Sequence, residues 1–167
     1  TDYNLTSDEK IDAIKLLSSA CGKNGMVYGQ FLDIESESKL IDKKSIENIH
    51  SLKTGKLIEC SVMFGQIGNS KKEQISILKS YAKKIGLAFQ ITDDILEIVS
   101  SKETLGKSTN SDIKNHKSTY ANVVGIDNAI KKSKKLSKSA IADLETLNSK
   151  EVDMLIELGK YISYREK

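Results

Sequence analysis

Apolar residues recur at helical spacing along nearly the whole chain. Near the start, Ile11, Ile14, Leu17 and Cys21 follow one another three or four positions apart, which places them on one face of an α-helix. Ser7, followed by two acidic residues, is a typical N-cap and begins the first predicted helix. Further segments with this spacing predict helices over residues 26–35, 43–65, 71–100, 118–124, 127–147 and 151–164. The pattern indicates an all-α protein.

The sequence contains no proline. Because proline interrupts helix interiors, its absence agrees with a mostly helical fold. The long predicted helices 43–65 and 71–100 are joined by a short turn, so we expect them to pack antiparallel in a helix bundle. Residues 101–116 are rich in serine, threonine, asparagine, glycine and lysine. They predict a long exposed loop, and long loops in compact domains are often functional lids.

Charge and hydropathy exclude several classes of protein. The net charge is only +3, with lysines and acidic residues interspersed, whereas a nucleic-acid-binding domain concentrates its basic residues on one face. The basic run at 131–135 is interpreted as an exposed helix face. No apolar stretch is long enough to span a membrane, no signal peptide is visible, and the two cysteines lack metal-site spacing. The expected location is the cytoplasm, with a plastid as the alternative.

Residues 86–97 combine acidic side chains with an apolar run. Asp93 and Glu97 are four positions apart and share a helix face with Gln90, while Asp94 projects about a third of a turn away. An acidic pair on a helix is most often a solvated surface, but apolar residues flank this one. A carboxylate in apolar surroundings is costly unless it is paired, hydrogen-bonded or bound to metal. Clustered oxygen ligands suit Mg²⁺, which takes one or two carboxylates together with substrate phosphates.

Four segments together resemble one enzyme family. Residues 89–97, Phe-Gln-x-x-Asp-Asp-x-x-Glu, are similar to the second aspartate-rich motif of the trans-prenyltransferases. Residues 29–33 resemble the family's Gly-Gln-x-x-Asp helix, and residues 53–55 its Lys-Thr-Gly helix. Residues 104–120 resemble the loop that closes over the diphosphate. Order and spacing agree from about residue 10 onward, and the similarity points to farnesyl diphosphate synthases of bacterial or plastid type.

The resemblance implies a fold and a reaction. The implied fold is the all-α isoprenoid synthase fold, and the expected assembly is a homodimer. The reaction is the Mg²⁺-dependent condensation of isopentenyl diphosphate with an allylic diphosphate, which gives farnesyl diphosphate. Two alternatives remain open: a geranylgeranyl diphosphate synthase, or a non-catalytic helical subunit that modulates a prenyl diphosphate synthase.

The resemblance also assigns roles to residues. The implied metal set has Asp93 as the direct ligand, supported by Asp94 and by Glu97, which stands where aspartate is commoner. The residues implied to bind diphosphate are Lys53, Lys107, Lys117, Gln30 and Arg165, the last of these at isopentenyl diphosphate. The residues implied to act in catalysis are Lys53, Thr54 and Gln90, with Asp33 helping to line the site. His50 and His116 are expected to be polar surface or loop residues.

Two motifs of the family are absent from this sequence: the first aspartate-rich motif and a Gly-Lys-Arg segment for isopentenyl diphosphate. Both belong to the N-terminal half of family members. We therefore expect residues 1–167 to form the C-terminal portion of a single prenyl synthase domain, and the chain, which begins at Thr1, to be a fragment or a processed product. On its own it is expected to be inactive.

Overall fold

The computed structural model describes residues 4–68, 71–105 and 118–165, and within these ranges it contains helices and no strand. The α-helices are α1 (Ser7–Cys21), α2 (Met26–Glu35), α3 (Lys43–His50), α4 (Lys56–Phe64), α5 (Lys72–Leu105), α6 (Tyr120–Val124), α7 (Ile126–Glu145) and α8 (Asp153–Tyr164). A π-helical segment, Ser51–Gly55, joins α3 to α4, and a short 3₁₀ helix, Lys150–Val152, precedes α8. The predicted all-α class is confirmed.

The helices differ from the sequence prediction in several details. The N-cap of α1 is Thr6 and not Ser7, because the Thr6 hydroxyl accepts from the Glu9 N–H while the Glu9 carboxylate accepts from the Thr6 N–H at 2.7 Å. This reciprocal capping box satisfies two otherwise unpaired donors. The predicted helix 43–65 is continuous but contains the π-helical segment. Helix α5 runs five residues beyond the predicted end at 100.

Helix α5 is the central element of the bundle. Its Tyr81, Ile85 and Ala88 form one core cluster with residues of α4, α7 and α8, and its Ile91 and Ile95 form a second with residues of α3, α6 and α7. Polar contacts fix the same arrangement. Thr92 and Ser133 share a buried hydrogen bond of 2.8 Å, which ties α5 to α7. The Tyr81 hydroxyl donates to the Leu155 carbonyl of α8 at 2.6 Å.

Two glycines allow helices to approach closely around the π-helical segment. A Cβ atom on Gly29 of α2 would lie 2.2 Å from the backbone nitrogen of Lys53, and one on Gly86 of α5 would lie 3.0 Å from the Cα of Gly55. Only a residue without a side chain fits at position 29, and a side chain at position 86 would require its neighbour to shift. Since Met63, farther along α4, clusters with the earlier α5 residue Leu78, α4 and α5 run antiparallel, as predicted.

Helices α1 and α2 leave apolar side chains in contact with solvent. Phe31 is 56% exposed, Ile14 is 65% exposed, and the rings of Tyr28 and Phe31 stack with centroids 6.1 Å apart. In the ranges that the structure describes, no helix combines the length and the apolar character that crossing a membrane requires.

Candidate active site

The π-helical segment presents Lys53 to α2. A π turn accommodates one more residue per turn than the α-helix around it and is frequent at functional sites. Here the contact of Gly29 with the Lys53 backbone brings α2 close enough for the Lys53 ammonium to donate to Asp33 Oδ2 at 2.6 Å. The Lys53 side chain keeps 30% of its surface exposed, while that of Asp33 keeps 16%. The lysine is therefore held by a carboxylate but remains accessible.

A small cavity of about 40 Å³ lies between α2, α3, the π-helical segment, α5 and the residues before α6. Its charged and polar lining includes Asp33, His50, Lys53, Gln90 and Asp94. Lys53 and Gln90 are 37 positions apart in the sequence, and the close contact of Gly55 with Gly86 brings them to one cavity. With Ser118 and Thr119, residues of all four segments that resemble family motifs thus meet here.

Asp94 is turned inward, toward α3 and α6. Its Oδ2 accepts a 2.7 Å hydrogen bond from the backbone N–H of Tyr120 and lies 3.5 Å from His50 Nε2. His50 is only 7% exposed, so the expectation of a surface histidine was wrong. A signal for its burial is present in the sequence, because His50 lies four residues after Ile46 and one after Ile49, on the apolar stripe of α3.

Tyr120 completes this cluster and was not singled out by the sequence. It is buried, and its hydroxyl donates to Glu47 Oε1 at 3.2 Å. Burial, with the negative charge of Glu47 as a second cause, raises the pKa of Tyr120 to about 12, so the hydroxyl stays protonated at neutral pH. The Thr119 side chain caps α6 by accepting from the Asn122 N–H. Asp94 and Glu47 therefore fix the start of α6 against α5 and α3.

Asp93 faces a different space from Asp94. One of its oxygens accepts from the Gln90 side-chain amide at 3.2 Å, as their shared helix face predicts. Its other oxygen accepts a hydrogen bond from the Arg165 guanidinium, which also lies over the Phe89 ring, 4.9 Å from the centroid. The Asp93 side chain is 35% exposed. Its carboxylate therefore points toward a space that a cation already occupies.

The three acidic residues of the motif do not converge on one point. Glu97 is exposed, Asp94 turns inward, and Asp93 pairs with Arg165. Within the described parts of the chain, no group of three or more histidine, cysteine, aspartate or glutamate residues is arranged to hold a metal ion. Mg²⁺ commonly takes only one or two protein carboxylates and completes its shell with phosphate oxygens and water. Asp93 alone, beside a phosphate-bearing ligand, fits that pattern.

The remaining predicted site residues lie in varied positions. Thr54 is half-buried next to Lys53, whereas Gln30 is exposed on α2 and does not line the cavity around Lys53. Arg165, expected at isopentenyl diphosphate, contacts Asp93 instead. Lys107, Lys117 and His116 lie outside the described residues, as does most of the loop predicted over 101–116.

Comparison with known proteins identifies relatives of the chain. The Polyprenyl synthetase family profile matches residues 2–158. The chain is 44% identical to the farnesyl diphosphate synthase of Micrococcus luteus, over 74% of the chain and 43% of that protein. It is 39% identical to the farnesyl diphosphate synthase of Escherichia coli K12, over 95% of the chain and 54% of that protein. The chain spans about half the length of the relatives it matches.

Solved structures agree with these relationships. An FPP/GFPP synthase from Zymomonas mobilis superposes with a TM-score of 0.78 at 31% identity, over 94% of this chain and 52% of that one. A geranyltransferase from Helicobacter pylori, solved with magnesium and isoprenyl diphosphate, superposes with a TM-score of 0.76 at 28% identity, over 97% of this chain and 53% of that one. These matches confirm the predicted isoprenoid synthase fold. The chain belongs to the polyprenyl synthetase family.

Proposed function

We propose that this chain provides the second aspartate-rich half of a prenyl diphosphate synthase, which condenses isopentenyl diphosphate with an allylic diphosphate to farnesyl diphosphate. The observation that carries the proposal is one arrangement. Lys53, Gln90 and Asp94 line a single cavity, and Asp93 projects from the same turn of α5 toward a space that accommodates a cation. The relatives also support the proposal, because two farnesyl diphosphate synthases are 44% and 39% identical to the chain over 74% and 95% of its length.

The reaction begins when the C–O bond of the allylic diphosphate breaks, giving an allyl cation and pyrophosphate. The double bond of isopentenyl diphosphate then attacks the cation, and a proton is lost to the departing pyrophosphate. When bound, Mg²⁺ would neutralise the charge that develops on the leaving group. The protein must bind the diphosphate, keep water away and offer dipoles to the cation.

The residues of this chain can divide that work. Lys53 supplies a compact positive charge for the diphosphate, and Asp33 holds its ammonium in place until the ligand arrives. Gln90 and Thr54 offer polar groups to the allyl cation. Asp93, with the support of Glu97, would hold Mg²⁺, whereas Asp94 positions α6 through the Tyr120 N–H. Lys107, Lys117 and Gln30 are proposed as further diphosphate contacts, and Arg165 as a contact of isopentenyl diphosphate once substrates are bound.

We also propose that the complete protein is a homodimer. The exposed apolar side chains of α1 and α2 support this proposal, since large exposed apolar patches usually mark an interface. Sedimentation of the reconstituted protein should show a dimer. A monomer at every concentration that supports turnover would contradict this part of the proposal.

The proposed activity can be tested by reconstitution. The chain would be assayed with dimethylallyl and isopentenyl diphosphates and Mg²⁺, alone and after addition of a separately made N-terminal half of a relative. We expect no condensation from the chain alone, because the diphosphate must be neutralised from both sides, and activity after the halves combine. Full activity from the 167 residues alone would refute this account of the mechanism.

A matched pair of variants tests the role of the site. Lys53→Gln removes the positive charge in the cavity, whereas Lys79→Gln removes one from an exposed position on α5. In the reconstituted protein, Lys53→Gln should lower kcat/KM for the allylic diphosphate by at least about a hundredfold, as expected for loss of a charged contact in a site shielded from water, and Lys79→Gln should leave it within about twofold. Equal effects of the two substitutions would contradict the assignment of Lys53 to the diphosphate.

A further inference from the structure

Arg165 is the only arginine in the sequence; the other 25 basic residues counted with it are lysines. Its guanidinium lies on Asp93, the residue that the proposed function assigns to the metal. We propose that Arg165 is an internal counter-cation that occupies Asp93 in the ligand-free protein and must leave before a divalent metal binds. The proposal rests on the assignment of Asp93 as the metal ligand. The segment that follows α8 would thereby set the metal affinity of the site.

The position of Arg165 is fixed by contacts on several sides. Helix α8 is anchored to α5 through the Tyr81 hydroxyl and through the buried Ile162. The helix ends at Tyr164, and Arg165 leaves it with extended backbone angles, φ −63° and ψ 115°. Its guanidinium then packs over the Phe89 ring, and its side chain is only 20% exposed. A cation over an aromatic face gains a further attraction, so the ring supports the contact with Asp93.

The guanidinium and a metal ion cannot share Asp93. Gln90 already donates to one carboxylate oxygen, and Arg165 donates to the other. Each oxygen keeps a second lone pair, so the competition is one of charge and not of acceptor sites. A Mg²⁺ ion at about 2.0–2.1 Å from a carboxylate oxygen repels a guanidinium held by the same carboxylate, whereas the neutral Gln90 amide is not repelled in this way. The arginine is therefore the donor that leaves.

This competition has a thermodynamic consequence. If the arginine-bound state dominates, the apparent dissociation constant of the metal rises by the ratio of bound to released forms. A partly buried ion pair with an aromatic contact makes that ratio about tenfold, equivalent to about 1.4 kcal/mol. By linkage, metal binding must weaken the Arg165 contact by the same factor.

The proposal is testable on this chain without any isoprenoid. Mn²⁺ would be titrated into the chain while paramagnetic broadening of the Gln90 amide signals is followed by NMR. Arg165→Gln should tighten Mn²⁺ binding about tenfold, and Arg165→Lys, which keeps the charge without the planar fork, should tighten it less. Lys160→Gln is the matched control, since Lys160 is an exposed cation of α8, the helix that precedes Arg165, and pairs with Glu157 at the surface. It should leave the affinity within about twofold, as expected for a surface ion pair.

Two further measurements keep the test decisive. Asp93→Asn should abolish the broadening at Gln90, and in the Asp93→Asn background the additional Arg165→Gln substitution should no longer change the Mn²⁺ affinity. In the unmodified chain, Mg²⁺ should shift the Nε–Hε resonance of Arg165, which is unambiguous because the chain has a single arginine. An affinity change below about twofold in Arg165→Gln, or an unmoved arginine resonance at saturating Mg²⁺, would overturn the proposal. Neither result depends on the condensation reaction, so the proposed enzyme activity is tested independently by the reconstitution assay.

Discussion

Replacing Gly29 by alanine should separate α2 from the segment that carries Lys53. The new Cβ would lie 2.2 Å from the Lys53 nitrogen and 2.6 Å from its Cα, whereas an ordinary contact needs at least 3.4 Å. Because both neighbours are backbone atoms, the helices must move apart by about 1 Å. Overpacking of this kind costs roughly 1–3 kcal/mol, and alanine regains about 1 kcal/mol through helix propensity. Taking the upper end for a backbone clash, we expect a net loss of about 2 kcal/mol in the free energy of unfolding.

Urea denaturation followed by circular dichroism would measure this loss. Gly65→Ala is the matched control, because its Cβ would meet only the Val62 carbonyl oxygen at 3.5 Å and its φ of −66° suits alanine. That variant should be neutral or more stable by a few tenths of a kcal/mol. Gly29→Ala should also weaken pyrophosphate binding, since it moves Lys53 away from Asp33. A free energy of unfolding within about 0.5 kcal/mol of the unmodified chain would show that α2 does not contact Lys53 as described.

Three further predictions concern the acidic pair and the buried tyrosines. In the reconstituted enzyme at saturating Mg²⁺, Asp93→Ala should lower turnover by orders of magnitude and Asp94→Ala by less; equal, mild effects would argue against a metal role. In denaturation experiments Asp94→Ala should lose about 1–3 kcal/mol, because the Tyr120 N–H loses its buried acceptor, and Asp94→Asn should recover part of this loss. Burial raises the pKa of both Tyr81 and Tyr120 from 10.0 to about 12, so above pH 10 the unfolded chain loses these protons first and stability falls. The fall should be shallower in a Tyr81→Phe/Tyr120→Phe variant, and an identical pH profile would contradict the burial of the two hydroxyls.

Apolar spacing was enough to predict the helices because most of them bury one face on α5. The shared face of Gln90 and Asp93 was predicted for the same reason, since both lie on one helix. The π-helical segment was not predicted, because one extra residue in a turn hardly alters the spacing of apolar positions between 43 and 65. His50 was misjudged although it lies on the apolar stripe of α3. Its partner Asp94 is 44 positions away in the sequence, and the local sequence pattern does not show that the two residues come together.

Adjacent residues on a helix are rotated by about 100° about its axis, and this explains why Asp93 and Asp94 differ in role. The rotation turns Asp94 into the crevice between α3 and α6, where the Tyr120 N–H donates to it and the His50 ring lies 3.5 Å away. It leaves Asp93 facing the open side, beside Gln90 and Arg165. A carboxylate that accepts from a backbone N–H is held in place by the fold, whereas one paired with a side chain can exchange that partner for another cation. The doubled aspartate therefore combines a fixed support for α6 with the carboxylate that we propose as a metal ligand, and the helix geometry alone separates the two directions.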